Sequence, residues 1–249
     1  MPTLLQDFYM IPFKLLEGII YLSISVIILK RDRKSLLNQI YFISILSWGI
    51  YIFLDMILYP LAHFESSYIS TITIKSTEWA IPLIANILRD IAILFGGILA
   101  FGFLYASIIL KFGESYAKQT KIILSLGVSY IIFAGATIFF DVIIHSGDYV
   151  KAHFNLGSGV MIFAQIIIFV VAIYYLLLLY SRFSDTTIKK RIGNFILGTS
   201  LLLGGIVFFV LVGFMNISAY AAITGPIGHL MWTLGAVFIY KGIITPLNK

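Results

Sequence analysis

The chain has 249 residues, 60% of them hydrophobic and 11% charged, with a formal net charge of +6 and a mean hydropathy of +1.02. A soluble domain is about 45–50% apolar and about 25% charged, so too little polar surface is present to cover a water-soluble globule. The absence of cysteine excludes disulfides, thiolate metal sites and thiol catalysis.

Seven apolar blocks follow one another, at about 9–29, 37–61, 86–110, 121–145, 156–180, 192–214 and 220–243. Each reaches the ~20 residues needed to cross a ~30 Å hydrocarbon layer. In lipid the backbone must satisfy its own hydrogen bonds, so such blocks are helices. A membrane β-barrel would instead show ~10-residue stretches of alternating polarity, and none is present. The reading is an all-α, polytopic seven-helix bundle forming one domain over 1–249, in the cell membrane. The first residues, MPTLLQDFYM, lack the positive region of a cleavable signal peptide.

Lys and Arg fall on one side. Lys30, Arg31, Arg33 and Lys34 follow the first block, Lys111, Lys118 and Lys121 the third, and Arg182, Lys189, Lys190 and Arg191 the fifth. With Lys241 and Lys249, 13 of the 17 basic residues share a side. The positive-inside rule makes that side cytoplasmic, so seven crossings place the N-terminus outside and the C-terminus inside. The basic balance is thus a topology signal, not a sign of nucleic-acid binding. The longest external link, about 62–85, carries Pro82, which is expected to interrupt any helix running into the third block. Trp79 to Leu88 reads as an interfacial segment, since Trp favours the headgroup level.

Ionisable residues inside spans are costly and normally face the bundle interior or water. Asp55 and Asp141 lie near the outer ends of the second and fourth spans, within the similar stretches GIYIFLDMILY and GATIFFDVIIH, and Arg89 and Asp90 open the third. Glu17 stands 13 positions before Lys30, roughly 20 Å from the cytoplasmic boundary at the helical rise. His229 has a comparable depth, and Gln165 sits near the middle of the fifth span. Lys14 lies one turn from Glu17 and is placed to neutralise it. One reading is an outward-facing polar cavity formed by Glu17, Asp55, Arg89, Asp141, Gln165 and His229. The other is a set of structural ion pairs and interface anchors.

Gly96, Gly97, Ala100 and Gly102 in the third span, and Gly198, Gly204 and Gly205 in the sixth, allow close helix approach. Trp48 and Trp232 fall near mid-membrane, where they pack the core or wall a ligand. No zinc-protease motif, P-loop or nucleophile elbow is present, and no metal or other cofactor is expected. A retinal protein would need a lysine midway along the last span, whereas Lys241 lies at its end.

Two stretches, KRDRKSLLNQIYFISILSWGIYIFLDMIL (30–58) with Asn38 and Trp48, and GPIGHLMWTLGAVFIYKGIITP (225–246) with Pro226, carry a resemblance. They resemble the seven-helix N-terminal sensor region of prokaryotic membrane histidine kinases. The resemblance implies a membrane sensory module whose last helix passes a signal inward. The kinase part is absent from these 249 residues, so the signal would pass to a separate partner. The resulting expectation is a non-enzymatic sensor or receptor-like protein. The alternative is a small solute or ion transporter or channel with an acidic outward-facing cavity. The expected partners are the lipid bilayer, a cytoplasmic signalling protein at the basic loops and a second copy of the chain.

Overall fold

A computed structural model describes residues 10–71, 80–140, 156–214 and 221–244. Among them are eight helices and no strand: α1 (Met10–Arg31), α2 (Leu36–Thr71), α3 (Ala80–Phe112), α4 (Glu114–Ala117), α5 (Thr120–Ile138), α6 (Leu156–Arg182), α7 (Thr186–Phe214) and α8 (Ala221–Ile244). All except α4 contain a segment long and apolar enough to cross a bilayer. The protein is an all-α, multi-pass membrane protein.

Several boundaries differ from the apolar blocks, each for a local reason. Helix α2 continues to Thr71, well beyond its hydrophobic segment Leu36–Ile57, so part of the supposed external link is helical. Pro82 does not interrupt the next helix; α3 begins at Ala80 and holds Pro82 in its first turn, where a missing backbone N–H costs no intrahelical bond. Trp79 lies outside the described residues. Helix α7 starts six residues before its apolar block because Asp185 caps it, its Oδ1 accepting from the Ile188 N–H at 2.8 Å. At the first basic turn, Asp32 Oδ1 accepts from the Lys34 and Ser35 amides, and Ser35 Oγ from that of Asn38. Gly113, at φ 88°, turns the chain from α3 into α4, a conformation that suits glycine.

Six helices form a closed ring in the order α1, α2, α3, α6, α7, α8, each packed on the next and α8 back on α1. Helix α5 stands outside this ring against α3 and α6. Its Ile123, Leu124, Val128, Ile131 and Ile132 are exposed, as suits side chains facing lipid. The segments carrying the similar stretches therefore have different surroundings: 49–57 belongs to the ring, and 135–138 to the helix outside it.

Toward the basic loops the ring is filled. Tyr41 stacks on Phe195 with ring centroids 5.3 Å apart and meets Phe103 edge-on at 5.4 Å. Ile24, Ile28, Ile45, Leu99, Leu202, Ile239 and Ile243 complete this apolar plug. Helices α7 and α8 approach closely where glycines face each other; a Cβ on Gly198 would lie 2.7 Å from the Gly235 carbonyl oxygen. At the membrane edge two arginines hold the end of α8. Arg31 Nη1 donates to the Ile243 carbonyl, and Arg191 Nε to that of Gly242 at 3.0 Å. The final carbonyls of a helix have no partner within it, so cations there satisfy them and complement the helix dipole.

Candidate functional site

Toward the opposite end the ring is lined rather than filled. All six helices contribute to a cavity of about 250 Å³. Lys14 comes from α1, Trp48, Tyr51 and Asp55 from α2, Ile93 and Gly96 from α3, Ile162 and Gln165 from α6, Ile206, Phe209 and Val210 from α7, and His229 and Trp232 from α8. Five of the helices present residues spaced i, i+3, the helical repeat that directs two side chains to one face. Helix α5 contributes none.

An ion pair and a hydrogen bond fix the polar wall. The Lys14 ammonium donates to Asp55 Oδ2 across α1 and α2. His229 Nδ1 is hydrogen-bonded to Glu17 Oε2, joining the first and last helices. Lys14 and Glu17 are 1% and 2% exposed. Such a charge is retained only when it is paired, so both lysine and carboxylate depend on their partners. The Lys14 ammonium bonds to Asp55 on the neighbouring helix, and its charge also acts on Glu17, as the one-turn spacing suggested. The four residues therefore form one electrostatic cluster.

The other wall is aromatic. Trp48 and Trp232 meet edge-to-face at 4.9 Å, Tyr51 lies 4.5 Å from Trp48, and Phe209 lies 4.8 Å from Trp232. The two tryptophans differ in one respect. Trp232 Nε1 donates to the Leu202 carbonyl at 3.2 Å, and its own carbonyl accepts from the Tyr21 hydroxyl at 2.6 Å. Trp48 is 3% exposed, yet its indole N–H has no hydrogen-bond partner among the described residues. Gln165 is 5% exposed and lines the same cavity. A Cβ on Gly96 would lie 3.4 Å from Gln165 Nε2 and 3.5 Å from Trp48 Cζ3. Gly96 thus leaves room on the α3 wall for the Gln165 amide and the benzo edge of Trp48.

Of the six candidate positions, Asp55, Gln165 and His229 line the cavity, and Glu17 lies behind His229 as its partner. Arg89 falls within α3, but its side chain, like Asp141, lies outside the described set. Trp48 and Trp232, which the sequence placed as core packing or a ligand wall, line the cavity, and Lys14, Tyr51 and Phe209 join them there. For Tyr51 the signal was spacing, since 48, 51 and 55 share one face of α2. No group of three or more His, Asp or Glu residues able to hold a metal occurs among the described residues.

The sequence matches no protein-family model, and it has no significant match among curated proteins or solved structures.

Proposed function

We propose that this protein is a non-enzymatic membrane sensor or receptor in which a small ligand occupies the central cavity. The observation that carries the reading is that all six ring helices meet at one cavity. A ligand there touches every member of the ring. Helix α8 offers the route inward. It presents His229 and Trp232 to the cavity and is gripped at its far end by Arg31 and Arg191. Occupancy of the cavity would shift α8 against those arginines, altering the basic face that a cytoplasmic partner reads. The basic loops face the cytoplasm in this reading.

A transporter needs a path through the filled half of the ring. Tyr21, Ile45, Leu99, Leu202 and Ile239, all buried, occupy that route, which favours the receptor over the carrier. The test is native mass spectrometry of the protein released from mild detergent or nanodiscs, beside flux assays in proteoliposomes. A retained small molecule that is lost in Gly96→Leu, with no solute flux, is the expected result. Solute uptake above that of protein-free liposomes would overturn the receptor reading. Single cysteines test orientation: one at Ser146 should label from outside and one at Ser184 should not.

A further inference from the structure

We propose that the central cavity binds a small planar cyclic amide, whose adjacent N–H and C=O pair with the carboxamide of Gln165. This deepens the receptor reading and rests on it.

The starting point is how the bundle treats its other buried polar side chains. Ser44, Ser47, Thr137, Thr199 and Thr233 each donate to a carbonyl one turn back on their own helix. Ser25 and Ser107 donate to carbonyls three residues back. These hydroxyls are satisfied without any ligand. Gln165 stands apart. It is 5% exposed, sits in the apolar run of α6 and lines the cavity, yet its carboxamide has no hydrogen-bond partner among the described residues. Neither end of the amide is sealed off, in contrast to the Trp48 N–H, which no molecule in the cavity reaches.

A buried polar group normally has a partner, and one left without costs about 1–3 kcal/mol. A polar side chain within a span is also costly unless something in the bundle interior answers it. A carboxamide carries a donor and an acceptor side by side, and turning it over leaves that pair in place. Its full complement is a molecule with the same two groups adjacent, N–H beside C=O. Gln165 alone sets this requirement, so it holds wherever the Glu17–His229 proton sits.

The surroundings supply the shape. A point one Cβ from Gly96 lies 3.4 Å from Gln165 Nε2, 3.5 Å from Trp48 Cζ3 and 3.8 Å from Tyr51 Cδ2. The amide thus lies beside two aromatic rings, and Phe209 and Trp232 extend the aromatic lining. Aromatic faces and edges favour a flat ring partner. At about 250 Å³ the cavity lies below the roughly 300–1,000 Å³ of sites for drug-sized ligands, which suits one ring or a fused pair. An amide built into such a ring meets both the polar and the aromatic requirement.

Three probes of nearly one shape separate these requirements. Carbostyril has N–H and C=O adjacent on a fused ring pair. N-methylcarbostyril keeps only the acceptor. The isomer of carbostyril with its carbonyl across the ring from the nitrogen keeps both groups but holds them apart. Binding is measured by calorimetry on the full chain in nanodiscs, with affinities referred to each probe's concentration in protein-free nanodiscs. Carbostyril should bind saturably, and the other two roughly tenfold more weakly, as loss of one buried hydrogen bond implies. Gln165→Met should bring all three to one level. In the unaltered protein, the Gln165 side-chain amide protons should move downfield with carbostyril, a readout that needs no variant to fold.

Equal affinity for the three probes in the unaltered protein would overturn the paired donor and acceptor. So would unmoved Gln165 amide resonances on saturation with carbostyril. If no probe binds above the protein-free level, the class is overturned and water is what meets Gln165. A retained small molecule in native mass spectrometry would then still uphold the receptor reading, and its absence as well would remove both.

Discussion

The two halves of the six-helix ring handle the same geometric problem in opposite ways. Near the basic loops, facing side chains are large and apolar, and Tyr41, Phe103 and Phe195 interlock across the axis. Near the other end, Lys14 bonds to Asp55 and His229 to Glu17 across helices, and a cavity is left beside them. The halves share a backbone scaffold and differ in what faces inward. A filled half holds helices at fixed distances by contact, whereas a lined half holds them by a few bonds. The lined half is therefore the one in which an added molecule can change the balance.

The largest effect should come from breaking that bonding. Glu17→Ala leaves His229 buried without its partner and should destabilise the protein by about 3–5 kcal/mol, read by SDS titration or thermal unfolding in detergent. Any retained ligand should be lost with it. Tyr41→Ala in the filled half should cost a similar amount, about 3–5 kcal/mol, but ligand retention should survive at temperatures where the variant is folded. Equal ligand loss in both variants would erase the contrast between the halves. Arg31→Ala, which removes a charged donor from the Ile243 carbonyl, should cost about 1.5–3 kcal/mol and raise hydrogen exchange in the last turn of α8. The smallest effect belongs to the helix outside the ring. Ile131→Ala on the exposed face of α5 should change stability by less than about 0.5 kcal/mol, and a larger loss would show that α5 faces protein rather than lipid.

The seven spans were legible because uninterrupted apolar runs and basic connecting loops are local signals. Depth along a helix was equally legible, since counting residues from Lys30 or Lys241 placed Glu17 and His229 deep within their spans. Partnership was not. Glu17 finds His229 across 212 residues, and Lys14 finds Asp55 across 41. Spacing along one helix favoured Lys14 with Glu17, and it says nothing about which neighbour stands opposite. The outlying position of α5 was hidden for a related reason: lipid and a protein core are both apolar, so its Ile and Val residues read the same in either place. Polar residues alone also understated the site. Tyr51 and Phe209 looked like ordinary span residues until the ring brought them beside Trp48 and Trp232.

The bond between the first and last helices sets a schedule for biogenesis. Asp55 follows Lys14 within two helices, so that charge is neutralised early in synthesis. Glu17 must wait for His229, 212 residues later, about 10–40 s at roughly 5–20 residues per second. During that interval α1 sits in the membrane with a carboxylate that lacks its eventual partner. Chains truncated after Phe214 should therefore be degraded faster in a pulse-chase than full-length chains, and Glu17→Gln should slow the turnover of the truncated form alone. Equal lifetimes for the truncated chain with Glu17 and with Gln would show that the waiting carboxylate is not what quality control detects.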